Sequence, residues 1–373
     1  MEKVRLKDVC EGMASNIAQK DISLGVGEYP IYGASGLIGN VDFYKQDKPY
    51  IGIVKDGAGV GRAYLLPPNS SVIGTMQYIL PKDNIDIRYL YYAIQYMHLE
   101  KYYSGATIPH IYFRDYQFEP IRLLEMQEQA HKADTLEKID KLIVIYEKKN
   151  LILDTIVKSR FVEMFGDLVF NPMKWPSVAL VDTCVDKDDI KCGPFGTQLG
   201  KDEYVREGVP LWGIPQINAA FTIPPTDFLT EGKAEQLSAY SLLPGDIAMS
   251  RKGNVGKCAI YPANYPNGII HSDVLRIRVD HKRFNPLFMM CQLHFSRAIE
   301  PQIAAVSNGA VMAGINVTKL KSIVVHVPPI VLQNQFADFV AITDKSKLAV
   351  QQSIETLQTL KAKLMQDYFG LGV

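Results

Sequence analysis

Two strings in this sequence set cations beside glycine turns. KDGAGVGRA (55–63) carries Lys55 and Arg62, and RKGNVGKCA (251–259) carries Arg251, Lys252 and Lys257. Ammonium and guanidinium groups held where the backbone can approach closely suit phosphate oxygens. Arg114, Lys191 and Lys319 stand in comparable surroundings. Gln198, Asn254, Asn308 and Asn316 add amides that donate and accept at once, which is what base edges require. The chemistry these residues offer is recognition of double-stranded DNA rather than bond making.

Strings that suggest catalysis do not complete a site. Gly33-Ala-Ser-Gly36-Leu-Ile-Gly39 lacks the dinucleotide spacing, and Gly253-Asn-Val-Gly256-Lys257-Cys258 has its glycines too close together and Cys where a phosphate loop needs Ser or Thr. The Pro-Pro pairs in LPPN, IPPT and VPPI lack the flanking Asp or Asn and aromatic that an amino-methyltransferase uses to hold its target amine. Asp188-Asp189-Ile190-Lys191 and Asp227…Glu231-x-Lys233 are loose carboxylate sets of a kind that arises by chance. His110, His271 and His326 show no metal spacing, and Cys10, Cys184, Cys192, Cys258 and Cys291 form no Cys-x-x-Cys pair. The expectation is a chain with no catalytic residue, no metal and no cofactor of its own.

The chain has 373 residues, 47% hydrophobic and 21% charged, enough for two to three ordinary cores. Its 40 basic and 40 acidic residues cancel. That argues against a simple DNA-coating protein, but leaves room for a basic groove on one face and an acidic face that docks a partner. No apolar run approaches a membrane span, and Met-Glu-Lys-Val-Arg-Leu has no apolar signal core, so a cytoplasmic location is expected.

An internal duplication organises these residues. With Gly105-Ala106 placed over Gly309-Ala310 and no gap, Ile111 falls on Ile315, Gln129 on Gln333, Asp140-Lys141 on Asp344-Lys345, and Phe165-Gly166 on Phe369-Gly370. The two glycine-turn strings match in a shifted register, as do Val4-x-Leu6-x-Asp8-x-Cys10 and Val178-x-Leu180-x-Asp182-x-Cys184. The second copy has therefore gained residues in its globular part. Runs such as Tyr50–Val54 and Asp246–Ser250, each before a glycine turn, read as strands.

Each copy ends in a segment free of Pro and Gly (121–165 and 330–369). In the first, Leu136, Ile139, Ile143, Tyr146, Leu153, Val157 and Met164 make a stripe at coiled-coil spacing that Asn150 interrupts, which would fix register. Val350, Ile354, Leu357 and Leu364 make the matching stripe. These predict two antiparallel helices, each about 60 Å long. The expected fold class is α+β: two globular domains joined by two long antiparallel helices, in a pseudo-twofold internal repeat. Two different heads on a rigid spacer can read two short, different DNA sequences separated by an unread gap.

Several strings resemble one family. SRFVEMFGD (159–167) followed by Asn171-Pro172 and Trp175-Pro176, LQNQFADFV (332–340), DKSK (344–347) and LMQDYFG (364–370) resemble the helical regions of type I restriction-modification specificity subunits. YPIYGASGLIG (29–39), Lys55-Asp56-Gly57 and Ile108-Pro109-His110-Ile111 resemble one type of target-recognition domain; KCGPFGTQL (191–199) and GDIAMSRKGNVG (245–256) resemble another. The resemblance implies recognition domains over 1–118 and 169–325, with spacer and docking helices over 119–168 and 326–373. It implies two modification (methyltransferase) subunits docked on those helices, which carry Gln129, Asp140, Lys141, Phe165, Gln333, Asp344, Lys345 and Phe369, together with motor-nuclease restriction subunits. S-adenosylmethionine, ATP and Mg would then be bound by the partners. The same pattern also serves the specificity chain of a methylation-only or type IIB-like system, and a coiled-coil scaffold that never touches DNA.

Overall fold

The computed structural model describes residues 2–22, 25, 27–104, 109–307 and 314–370. It divides into two units, the first made of residues 1–149 and 350–373 and the second of residues 150–349. Gly105-Ala106, Ile108, Asn308 and Gly309-Ala310 fall outside the described residues.

Unit 1 runs β1 (Glu2–Arg5), α1 (Leu6–Val9), β2 (Cys10–Ala14), β3 (Tyr29–Gly33), β4 (Gly36–Val41), β5 (Tyr50–Val54), β6 (Ala63–Leu66), β7 (Ser71–Val72), β8 (Met76–Pro81), α2 (Ile87–Met97), α3 (Phe113–Tyr116) and β9 (Pro120–Leu123), then enters α4 (Met126–Phe165). An antiparallel sheet has the order β2-β8-β5-β6, and a smaller one the order β4-β3-β7, with β3 parallel to β7. The strand β5, YIGIV, is buried along its whole length, as its unbroken apolar run demands. Asp86 starts α2 by accepting hydrogen bonds from the Arg88 and Tyr89 amides. Tyr89, Leu90, Ala93 and Ile94 of α2 then share a core with Leu6, Val9, Ile51, Ile53 and Ile79. β1 pairs antiparallel with β9, so Pro120–Leu123 is strand and α4 begins only at Met126, later than the Pro-free segment begins.

Unit 2 repeats this plan with β10 (Ser177–Ala179), β11 (Ile190–Cys192), β12 (Val209–Trp212), α5 (Ile214–Asn218), β13 (Asp227–Leu229), α6 (Glu231–Gln236), β14 (Ser241–Leu242), β15 (Ile247–Ser250), β16 (Cys258–Ile260), β17 (Gly268–Ile270), β18 (Val274–Ile277), α7 (Pro286–Phe295), α8 (Glu300–Ser307), α9 (Val317–Lys321), β19 (Val324–His326) and α10 (Ile330–Phe369). The sheet β11-β18-β15-β16 copies β2-β8-β5-β6 strand for strand. The second sheet, β13-β12-β17-β14, keeps the parallel pair as β12 and β17 and adds a strand. With α5 and α6, that strand belongs to the additional chain of the second copy. Asn285 caps α7 as Asp86 caps α2, and β10 pairs with β19 as β1 does with β9.

The Pro-free segments fold as α4 and α10, each 40 residues long. In unit 1 they pair antiparallel: Asp140 and Lys361 form an ion pair at 2.6 Å, and Ala133 and Leu136 share a core with Met365 and Phe369. In unit 2 the other halves do the same, with Asp154 and Lys347 at 2.6 Å and Val157, Phe161 and Phe165 packed with Phe336 and Val340. Every residue of the two apolar stripes is buried or half-buried. Asn150 is half-buried on the stripe, and its side-chain oxygen is shielded from solvent with no hydrogen-bond partner among the described residues. Gly166 ends α4 at φ +77°, where its amide donates to the Val162 carbonyl.

Candidate nucleic-acid interface

In each unit an inner strand of the all-antiparallel four-stranded sheet, β5 or β15, runs into a hairpin that carries the cations. In unit 1, β5 leads to Lys55, and the Ile111 amide donates to the Lys55 carbonyl at 2.9 Å. In unit 2, β15 leads to Arg251, and the Ile315 amide donates to the Arg251 carbonyl at 3.1 Å. The two shifted registers of the sequence repeat thus meet in one hydrogen bond. This ties the hairpin to the segment that carries Arg114 in unit 1, and Asn316 and Lys319 in unit 2.

Not every cation on these hairpins is free for a ligand. Lys55 has a side chain only 16% exposed and lies 3.7 Å from Asp56. Arg62 is exposed and packs beside Gly59, where a Cβ would fall 3.3 Å from its guanidinium. Its Nη1 donates to the Tyr64 hydroxyl at 3.4 Å, and that hydroxyl donates to the Ala34 carbonyl at 2.9 Å. Arg114 is exposed, stacked 4.8 Å over the Tyr112 ring. In unit 2, Arg251 turns inward: its Nε donates to the Ile315 carbonyl at 3.0 Å and its Nη1 to Cys192 Sγ at 3.5 Å. The structure gives Arg251 a fastening role that sequence did not anticipate. Lys252 pairs with Asp273 at 2.8 Å, Asn254 is exposed, and Lys257 is half-buried. The side-chain oxygen of Asn316 accepts from the Lys319 amide as the N-cap of α9; Asn316 and Lys319 are both exposed.

Lys191 and Gln198 converge on a residue that sequence reasoning missed. The Lys191 ammonium lies 5.5 Å from the Tyr240 ring centroid, and the Tyr240 hydroxyl donates to Gln198 Oε1 at 3.1 Å. Tyr240 sits far along the chain, next to β14 in the inserted part, and no local pattern signals it. Arg276, 4% exposed, holds this segment by donating to the Ala239 and Ser241 carbonyls, and reaches the Asp188 carbonyl on the other side. Asp273, the partner of Lys252 and a neighbour of His271 at 3.8 Å, was also missed.

The residues proposed from family likeness as docking points divide. Gln129, Phe165, Gln333 and Phe369 are enclosed by the chain itself, whereas Lys141, Asp344 and Lys345 are exposed. Asp140 is half-buried between Lys361 and the Tyr92 hydroxyl. Gln129 Oε1 accepts from the Asp86 amide at 2.8 Å, and its Nε2 donates to the Asn84 and Leu124 carbonyls. Gln333 repeats this with the Asn285 amide at 2.9 Å and the Arg283 and Pro328 carbonyls. These four side chains hold heads to helices.

Burial pushes the Cys10, Cys258 and Cys291 thiols up to about 12 and the Cys184 thiol up to about 11, which keeps them protonated and un-nucleophilic. The Asp189 carboxylate caps a turn by accepting from the Asp186 amide. Among the described residues no three His, Cys, Asp or Glu side chains gather to hold a metal ion. No helix among them is long and apolar enough to cross a membrane.

Two related α+β heads, each held by a buried glutamine at the start of a long helix, define a duplicated architecture. The chain belongs to the type I restriction modification DNA specificity domain family, whose model matches residues 1–153 and 193–360. It is 28% identical over 173 residues to the type I restriction enzyme MjaX specificity subunit of Methanocaldococcus jannaschii, a match covering 44% of this chain and 40% of that relative. The crystal structure of the type I restriction-modification S subunit from M. genitalium superposes with a TM-score of 0.64 at 17% identity, over 99% of this chain and 96% of the other. A chain from a structure of complex assembly and conformational transition in the type I R-M system gives 0.61 at 14%, over 98% and 97%. At such identities these likenesses establish the fold.

Proposed function

We propose that this chain is the DNA-specificity subunit of a type I restriction-modification complex in the cytoplasm, reading a bipartite, asymmetric site in duplex DNA and performing no chemistry itself. The observation that carries this reading is the repeated hairpin: one backbone hydrogen bond, Ile111 to Lys55 and Ile315 to Arg251, fixes the same loop in both heads, while the side chains around it differ. Like scaffolds with unlike side chains suit two different half-sites.

The proposed partners are duplex DNA, two modification subunits and motor-nuclease restriction subunits. Leu142, Ile145, Ile152 and Ile156 recur at helical spacing on α4 and are 42%, 57%, 58% and 41% exposed. An exposed apolar stripe of this kind favours protein docking. Methyl transfer to adenine requires the base to leave the stack for the pocket of a modification subunit. The role of this chain is to hold the DNA while S-adenosylmethionine, ATP and Mg act in the partners. Methylation sequencing of a host with and without the gene tests the reading. Loss of one interrupted, asymmetric methylated motif is expected; an unchanged methylome, or methylation and cleavage by the purified chain alone, overturns it.

A further inference from the structure

We propose that Leu37 and Phe195 are the apolar base-contacting residues of the first and second heads. The proposal rests on the DNA-reading function above and names the part of that reading that no charge can supply.

Both side chains are large, apolar and open to solvent, Leu37 at 62% and Phe195 also at 62%. Neither belongs to any hydrophobic core of its unit. Each is carried by a constrained glycine turn. Leu37 is the second residue of β4, directly after Gly36, whose φ is +104°, and pairs across the hairpin with Tyr32. Phe195 lies between Gly193 and Gly196. A Cβ on Gly193 would fall 2.2 Å from the His271 carbonyl oxygen, and Gly196 has φ +66°. The Gly193 amide also donates to the Val274 carbonyl at 3.0 Å, tying the loop to the sheet. Such turns aim a side chain outward in a fixed direction.

Each turn also adjoins the cations of its own head. The carbonyl of Ala34, in the same turn as Leu37, accepts from Tyr64, which in turn accepts from Arg62. The Phe195 loop begins at Cys192, whose sulfur accepts from Arg251, and ends at Gln198, bonded to Tyr240 beside Lys191. An exposed apolar group whose turn is linked to an exposed polar side chain, Arg62 in the first head and Gln198 in the second, suits a duplex. Phosphates meet the charges, while thymine methyls and base faces in the groove meet the apolar group.

The test uses the full chain co-expressed with its modification subunit, a duplex bearing the site found by methylation sequencing, and a scrambled duplex of equal length. Affinities are measured across a salt series for Leu37→Ala, Phe195→Ala, and Leu37→Met and Phe195→Met. Each alanine variant should weaken cognate binding about tenfold, relax discrimination in one half-site only, and leave scrambled binding and the salt slope unchanged, because an apolar contact releases no counterions. The methionine variants should retain cognate binding. Equal loss on both duplexes, a changed salt slope, no loss, or failed assembly with the modification subunit overturns the assignment; the last outcome makes these residues protein contacts. A wild-type complex that fails to prefer the cognate duplex overturns the DNA-reading function itself and is recognised before any variant is measured.

Discussion

His326 lies in β19 at 8% exposure, its backbone bonded on both sides to the Gln292 side chain and its ring Nδ1 buried without a hydrogen-bond partner among the described residues. Burial disfavours the charged imidazolium and holds its pKa below the usual 6.5. The unfolded chain therefore binds the proton more readily, so the stability from the neutral ring is complete above about pH 6.5 and is lost as pH falls through the depressed value. Melting temperature should drop between about pH 7 and pH 5, and His326→Leu should flatten that part of the profile; a variant with the same slope as wild type would refute the link. Sequence could say that His326 lacked metal spacing but not that it was buried, because burial here comes from strand pairing with Ser177–Ala179. Arg251 and Asn316 make the same point. Their types suited DNA, but the Ile315 carbonyl and the Lys319 amide engage them first. A residue type announces what a group can bond, whereas only the fold decides which partner reaches it.

At the scale of elements, periodicity was the strongest guide. The stripes from Leu136 to Met164 and from Val350 to Leu364 emerge on the inner faces of α4 and α10 because a long helix can hide only one side. Two things were not legible. The start of α4 at Met126 depends on β1, far away in sequence, claiming residues 120–123. The aromatic knot of unit 2 was missed because its members come from three separate helices: Phe161 and Phe165 from α4, Phe288 from α7 and Phe336 from α10. Phe161 is 2% exposed, with the Phe336 and Phe288 ring centroids at 5.5 and 5.8 Å. Phe161→Ala should cost about 3–5 kcal/mol, measured by urea unfolding, because the surrounding rings cannot close the cavity. A loss below about 1 kcal/mol would mean that the knot is loosely packed.

For the molecule as a whole, the question is how one pair of helices accepts heads of unlike sequence. Gln129 and Gln333 supply a physical answer. Each side chain bonds only to backbone atoms: the Asp86 amide with the Asn84 and Leu124 carbonyls in one unit, the Asn285 amide with the Arg283 and Pro328 carbonyls in the other. None of the three partner positions keeps its residue type between copies, yet the amide-and-two-carbonyl pattern is the same. Such a socket is blind to side chains and requires only a capped helix start at the right place. Contacts that do depend on residue type, such as Arg88 with Asp134 and Glu137, are partly exposed and worth about 0.2–1 kcal/mol each. Replacing residues 1–118 with the head of another family member, while keeping α4, should therefore give a folded chain. Its methylome should change in one half-site and keep the other. Gln129→Leu leaves the Asp86 amide and two carbonyls without a partner, and should lower stability by about 1–3 kcal/mol in the native and the grafted chain alike. A graft that unfolds with Gln129 intact, or that alters both half-sites, would show that the head is held by its side chains and that the two halves of the duplication are not independent readers.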